Sequence, residues 1–184
     1  MENILQELDS NIKISRPELY RDLKNPLGEH EIQRLEERYH VRIPANLKTV
    51  YQWKNGQKSS SYEAFVNNSM FIPLEESLEI ATELTSMIGT DFEAENWWNE
   101  NWIPIFHNGG GDYICYDTEG IFTGSKGQIL EFWHRDEDRN VIAADLESFF
   151  NQLNKYYSET SVEEYDEFFT IEIQRGFPKN FIVS

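Results

Sequence analysis

Three observations predict a fold that mixes helices with a β-sheet. Apolar residues recur at helical spacing through much of the first half, beginning with Ile4, Leu5, Leu8 and Ile12. Two short runs rich in aromatic and β-branched residues, 102–106 and 113–116, flank Asn108-Gly109-Gly110-Gly111-Asp112. The glycines permit positive φ and the Asn and Asp side chains bond locally to the backbone, so this stretch reads as a β-hairpin at the centre of a sheet. Asp145 is a good N-cap for a helix through Tyr157 that carries Leu146, Phe149, Phe150 and Leu153 on one face.

The elements follow in order. After the opening helix, Pro17 suits the first turn of a short helix through Leu23, and Asn25-Pro26-Leu27-Gly28 breaks it. A helix over 29–39 turns Ile32, Leu35 and Tyr39 inward and leaves its charged positions solvated. Pro44 starts a fourth helix bearing Leu47, Val50 and Tyr51, and Asn55-Gly56 is expected to end it in the left-handed conformation. A polar loop over 57–61 precedes a short strand over 70–74, which Pro73 marks as an edge or an end. Acidic residues open a helix over 75–88 that Gly89 stops. After the hairpin come a turn over 117–120, a short strand over 121–123 and a strand over 127–134. A charged turn over 135–140 and a short strand over 141–143 lead into the Asp145 helix. Ser161-Val162-Glu163-Glu164 has the form of a capping box and predicts a last helix over 162–169. Residues 170–184 fit helix or strand. The one internal linker candidate, 158–161, is short, so 1–184 is read as a single domain, large enough to bury roughly 70% of its unfolded surface.

Composition narrows the function. Sixteen basic residues against thirty-three acidic ones give a formal charge of −17. That disfavours direct contact with nucleic acid, which needs a basic patch, and with anionic membranes. The charge serves solubility, or it steers a basic protein partner; both readings stand. Met1-Glu2-Asn3-Ile4 lacks a basic region followed by an apolar core, so no signal peptide is expected, and no apolar run approaches the roughly 20 residues of a membrane span. Cys115, the single cysteine, excludes an internal disulfide and is expected to pack inside a strand, which fits a reducing, cytoplasmic setting.

Catalytic and metal motifs are nearly present and fail. His107 beside three glycines is similar to an esterase oxyanion loop, but the chain has no G-x-S-x-G. The stretch from Gly120 to Lys126 misses the phosphate-loop order, and Ile114 breaks G-x-G-x-x-G. Asp136, Asp138, Asn140 and Glu147 match four positions of an EF-hand loop, but Val141 stands where glycine is needed. His30-Glu31 begins H-E-x-x-H and Arg34 ends it. His40, His107 and His134 have no ligand partner at a zinc spacing. No catalytic residue, cofactor or metal is therefore assigned.

Residues 90–101 interleave Asp91, Glu93, Glu95 and Glu100 with Phe92, Trp97 and Trp98. Either the tryptophans fold back onto the core, the preferred reading because large aromatics are mostly buried, or the segment is an acidic and aromatic contact surface.

The order of features resembles the SUKH superfamily. Leu27-Gly28, Ile32, Leu35-Glu36, Ile43-Pro44, Leu47 through Tyr51 and Asn55-Gly56 are similar to its N-terminal signature. Trp102-Ile103-Pro104-Ile105, then Asn108 through Asp112 and Tyr113 through Asp117, look like its central hairpin. Gly127-Gln128-Ile129, His134 and the 145–153 helix resemble its closing elements. The resemblance covers about 27–153; the acidic insert around Trp97 and Trp98 and the tail after Ser158 depart from it. It implies an α+β fold in which helices pack around a twisted, largely antiparallel sheet, and a binding protein without catalysis. Bacterial members of the superfamily are mostly immunity proteins that neutralise secreted polymorphic toxins, often nucleases; eukaryotic members are regulatory scaffolds in cell-wall and signalling pathways.

The expectation is an immunity protein that covers a basic toxin, of the nuclease kind. Its candidate contacts are Asp91, Glu93, Glu95, Trp97, Trp98 and Glu100, with Asp136, Glu137 and Asp138 as a second patch. A non-catalytic regulatory scaffold ranks second, and a hydrolase using His107 and the glycine turn ranks third.

Overall fold

A computed structural model of the chain describes residues 1–183. Helix α1 (Glu2–Ser15) buries Leu5, Leu8 and Ile12, and Pro17 opens the short α2 (Pro17–Asp22). In α3 (Glu29–Tyr39) the Glu31 carboxylate reaches back to accept from the Gly28 N–H at 2.8 Å, satisfying a donor at the helix start. Pro44 precedes α4 (Ala45–Trp53), which buries Leu47, Val50 and Tyr51. Two further long helices follow, α5 (Leu74–Ser86) and α6 (Leu146–Glu159). Asp145 caps α6 by accepting from the Ser148 N–H at 2.7 Å.

Six strands form one sheet in chain order, each antiparallel to its neighbour: β1 (Met70–Phe71), β2 (Trp102–His107), β3 (Tyr113–Asp117), β4 (Gln128–Phe132), β5 (Asp138–Ala143) and β6 (Lys179–Ile182). Strand alternation sorts their side chains into two cores. Ile103, Phe106, Ile114, Tyr116, Ile129 and Ile142 join the residues of α1, α4 and α6. Trp102, Cys115, Leu130, Phe132 and Val141 form a second cluster on the other face. That face is covered by Trp98, with Phe92, Trp97, Ala81 and Leu84 packed beside it. Burial on both faces explains why β2 and β3 read as continuous apolar runs. A bulge between Pro104 and Phe106 puts Ile105 and Phe106 both into the larger core, and a proline is tolerated at such a break. Along the edge that two-residue β1 leaves open, the Ser77 hydroxyl of α5 donates to the Pro104 carbonyl.

Four sequence expectations change. First, α4 stops at Trp53 with Lys54 extended, so Asn55-Gly56 is no helix cap for it. Asn55 instead accepts from the Leu74 N–H at 2.9 Å and so serves the start of α5. Gly56, at φ 73°, lies where an added Cβ would come within 2.3 Å of the Pro73 nitrogen. Second, 121–123 is a turn. The buried Asp117 carboxylate accepts from the N–H groups of Glu119, Gly120 and Ile121 and from the Gln128 amide at 2.7–3.0 Å, and this local network wins over β propensity. Third, β5 starts at Asp138, which moves Arg139 and Asn140 from the expected turn into the sheet. Fourth, the capping box at Ser161 opens only a single 3₁₀ turn, Val162–Glu164. Asp166 then accepts from the N–H groups of Phe168 and Thr170 and turns the chain, while Phe169 is buried against Tyr156 and Tyr157.

Gly56→Ala should lower unfolding free energy by about 3 kcal/mol, combining a positive-φ penalty with backbone overlap. Urea denaturation reads it; a loss under about 1 kcal/mol would contradict the close approach of α4 and α5.

Candidate protein-binding surface

Residues 59–125 contain twelve Asp and Glu and no Lys or Arg, an asymmetry hidden in the overall composition. Some of these acids have structural roles. Glu75 and Glu79 meet Arg38, Glu63 meets Arg16, Glu119 meets Lys126, Asp112 meets His134, and Asp117 organises its turn. The other six are Glu76, Glu83, Asp91, Glu93, Glu95 and Glu100. All are exposed, and among the described residues none pairs with a basic side chain. Glu76 and Glu83, two turns apart, share a face of α5.

Arg139 joins this stretch to the second predicted patch. Alternation in β5 sends its side chain into the smaller core, where it is 0% exposed. Among the described residues no carboxylate pairs with it. Its Nη2 and Nε donate to the Trp97 carbonyl at 2.6 and 3.2 Å, and its Nη1 donates to the carbonyls of Asp136, Asp138 and Trp133 at 2.6, 2.7 and 3.3 Å. The guanidinium also lies 4.7 Å from the Phe132 ring centre and 5.2 Å from that of Trp97. Burial pulls its pKa down to about 10, so it stays charged at neutral pH. Because carbonyls satisfy this cation, no side-chain carboxylate among the described residues is drawn in to pair with it. Asp136 and Glu137 are exposed and Asp138 is half-buried, with no basic partner among the described residues; exposed Arg135 sits in the same turn. Through these carbonyls Arg139 ties the loop at Trp97, within the first acidic segment, to the turn at Asp136 and Asp138, within the second.

The tryptophans divide. Trp98 is 2% exposed, stacks edge-on against Trp102 and Phe132, and donates its indole N–H to Thr85 at 3.1 Å. It anchors the loop to the core and leaves the contact set, because its ring has no free face. Trp97 is half-buried beside Arg139. Asn99 accepts from the Asn101 N–H and side-chain amide at 3.0 and 2.9 Å, which fixes the loop where it enters β2.

The glycine turn is a clamp. Asn108 accepts from the N–H of Gly110 and donates to Asp112, and Asp112 in turn accepts from the His134 N–H and ring at 2.9 and 2.8 Å. Gly111 is needed there, since at φ 98° an added Cβ would lie 3.2 Å from that ring. Burial opposes ionisation of Asp112, but the bonds from His134 and Asn108 outweigh it and hold the carboxyl below its usual range. His107 is half-buried and burial pushes its imidazole pKa down, while burial pushes the Cys115 thiol well up and suppresses the reactive thiolate. Among the described residues no group of three or more His, Cys, Asp or Glu side chains converges on a metal position, and no helix is long and apolar enough to cross a membrane.

The family model described as SMI1/KNR4 family (SUKH-1) matches residues 26–152, which span α3 to the middle of α6 and include both acidic segments. No curated protein sequence matches the chain.

Arg139→Lys should cost about 2–4 kcal/mol of stability, because an ammonium cannot reproduce the planar fork that serves four carbonyls. Amide exchange over 93–98 and 133–138 should rise with it; wild-type stability and exchange would contradict the tether. Asp112→Asn should cost about 1 kcal/mol at pH 7, discounted for partial exposure. A depressed folded-state pKa stabilises above the unfolded value near 3.8 and is lost as pH falls through the folded one, so the wild-type advantage should vanish in acid. A gap between the two proteins that stays constant from pH 7 to pH 2 would contradict it.

Proposed function

The chain belongs to the SMI1/KNR4 family (SUKH-1), and from that membership we propose that it is an immunity protein that binds and neutralises a basic toxin by covering it. The observation that supports the reading is that Asp91, Glu93, Glu95, Glu100, Asp136 and Glu137 are exposed and, with half-buried Asp138, lack a basic partner among the described residues, in two segments that Arg139 ties together through backbone carbonyls. A toxin that handles nucleic acid needs positive charge at its active site, so a nuclease is the partner class that fits best. An acidic surface seated there blocks substrate by shape and by charge, and no bond is made or broken. The formal charge of −17 would speed encounter by electrostatic steering, an effect that salt screens because the Debye length falls to about 8 Å at physiological ionic strength. Neutralisation in the cytoplasm accords with a buried free thiol. A regulatory scaffold in this family would also bind through such a surface, but would have no toxin encoded beside it.

The test is co-expression with the product of the adjacent gene, scored as survival and co-purification. Glu93→Lys with Glu95→Lys should fold normally, slow association about tenfold at low salt and reduce rescue. Unchanged affinity would remove the 91–100 segment, and an association rate indifferent to salt would remove the electrostatic mechanism.

A further inference from the structure

Glu131 lies outside the acidic segments just described and has no counter-charge among the described residues. In β4 it alternates with Leu130 and Phe132, so it faces the same side of the sheet as its register partners Ile114 and Asn140. Its one hydrogen bond among the described residues is from the Asn140 amide at 3.2 Å. Burial pushes its carboxyl up, as expected of an acid on an apolar sheet face.

Glu131 lines an open cleft of about 470 Å³, large enough for a side chain with room for the backbone that carries it. Trp133, Phe168 and Ile173, among the few large apolar side chains that remain exposed (37%, 49% and 39%), converge on its walls. Among the described residues no Lys, Arg or His lines it. The walls are preformed: the N–H groups of Asn67 and Asn68 donate to the carbonyls of Phe169 and Phe168, and the Asn67 side chain accepts from the Ile171 N–H at 3.0 Å.

Most of the rest of the lining is polar and includes a second acid, Asp112, already bonded to His134 and Asn108. The cleft thus offers two carboxylates beside exposed apolar walls and selects for a long aliphatic stem ending in a cation. We propose that this cleft is the subsite for an arginine side chain of the protein partner, its stem along Phe168 and Ile173, its guanidinium on the Glu131 carboxylate with Trp133 beside it. Arginine suits the site better than lysine because its planar fork matches a carboxylate, stacks on indole and is less strongly hydrated. The assignment deepens the reading of a basic protein partner and adds a second point of contact to the acidic surface.

The experiment needs no toxin. Nα-acetyl-arginine methylamide is titrated into the full chain and followed by backbone amide NMR, with Nα-acetyl-norleucine methylamide as the uncharged control. Saturable shifts are expected at Glu131, Trp133 and Phe168, with affinity about tenfold lower for the norleucine compound and about tenfold lower for the arginine compound in Glu131→Gln. The spectrum of Glu131→Gln without probe should remain that of a folded protein, and Trp133→Ala, a change at the rim, should also weaken the arginine probe. Equal binding of the two compounds, unchanged affinity in Glu131→Gln, or no saturation at the cleft would overturn the assignment. If those results appear while Glu93→Lys with Glu95→Lys still weakens toxin binding, the subsite alone falls and the acidic-surface reading stands.

Discussion

A guanidinium buried without a carboxylate is the constraint on which the rest of this structure depends. Removing a cation from water is costly, and Arg139 can stay inside only because four carbonyls aim at its fork. Those carbonyls belong to two loops far apart in sequence, one ending at Trp97 and one running from Trp133 to Asp138. Holding the cation therefore fixes both loops relative to the sheet. A carboxylate partner would have neutralised Arg139 equally well and cancelled a negative charge. Carbonyl ligation leaves the carboxylates outside, where a partner can meet them.

Both faces of the sheet are committed to packing, which explains why the acidic insert is ordered. Trp98 closes the smaller core over Trp102 and Phe132, so the charged residues around it are carried on a rigid base. Rigidity matters for recognition, since a preformed surface loses less conformational entropy when it binds. The glycine turn contributes by tying His134 to Asp112 next to the second acidic segment. The same residues that attract comparison with an oxyanion loop act here as a brace.

Much of the α+β fold was legible in sequence because its signals are local. The periodicity of α1 and α3, the Asp145 cap and the hairpin around Gly109 to Gly111 each specify an element by themselves. The misses share a cause. Arg139 reads as part of a charged turn because nothing local announces carbonyls contributed by Trp97 and Trp133. Residues 121–123 look like strand because the four bonds to Asp117 are invisible until the turn closes. The capping box at Ser161 is correct chemistry followed by a competing turn at Asp166. At the surface the acidic composition of 91–100 and 136–138 was readable, whereas their union and the withdrawal of Trp98 into the core required tertiary structure. Glu131 gave one faint signal, an acid inside an otherwise apolar strand.

The central claim is that a partner docks on the surface behind which Arg139 sits. Hydrogen–deuterium exchange of the chain, alone and bound to the protein that co-purifies with it, tests it most directly. Protection over 91–100 and 133–138, with the neighbouring face of α5 and, where the arginine subsite is filled, 67–69 and 168–173, is the predicted footprint. Protection confined to the outer faces of α1 and α6, with both acidic segments exchanging as in the free protein, would contradict the account.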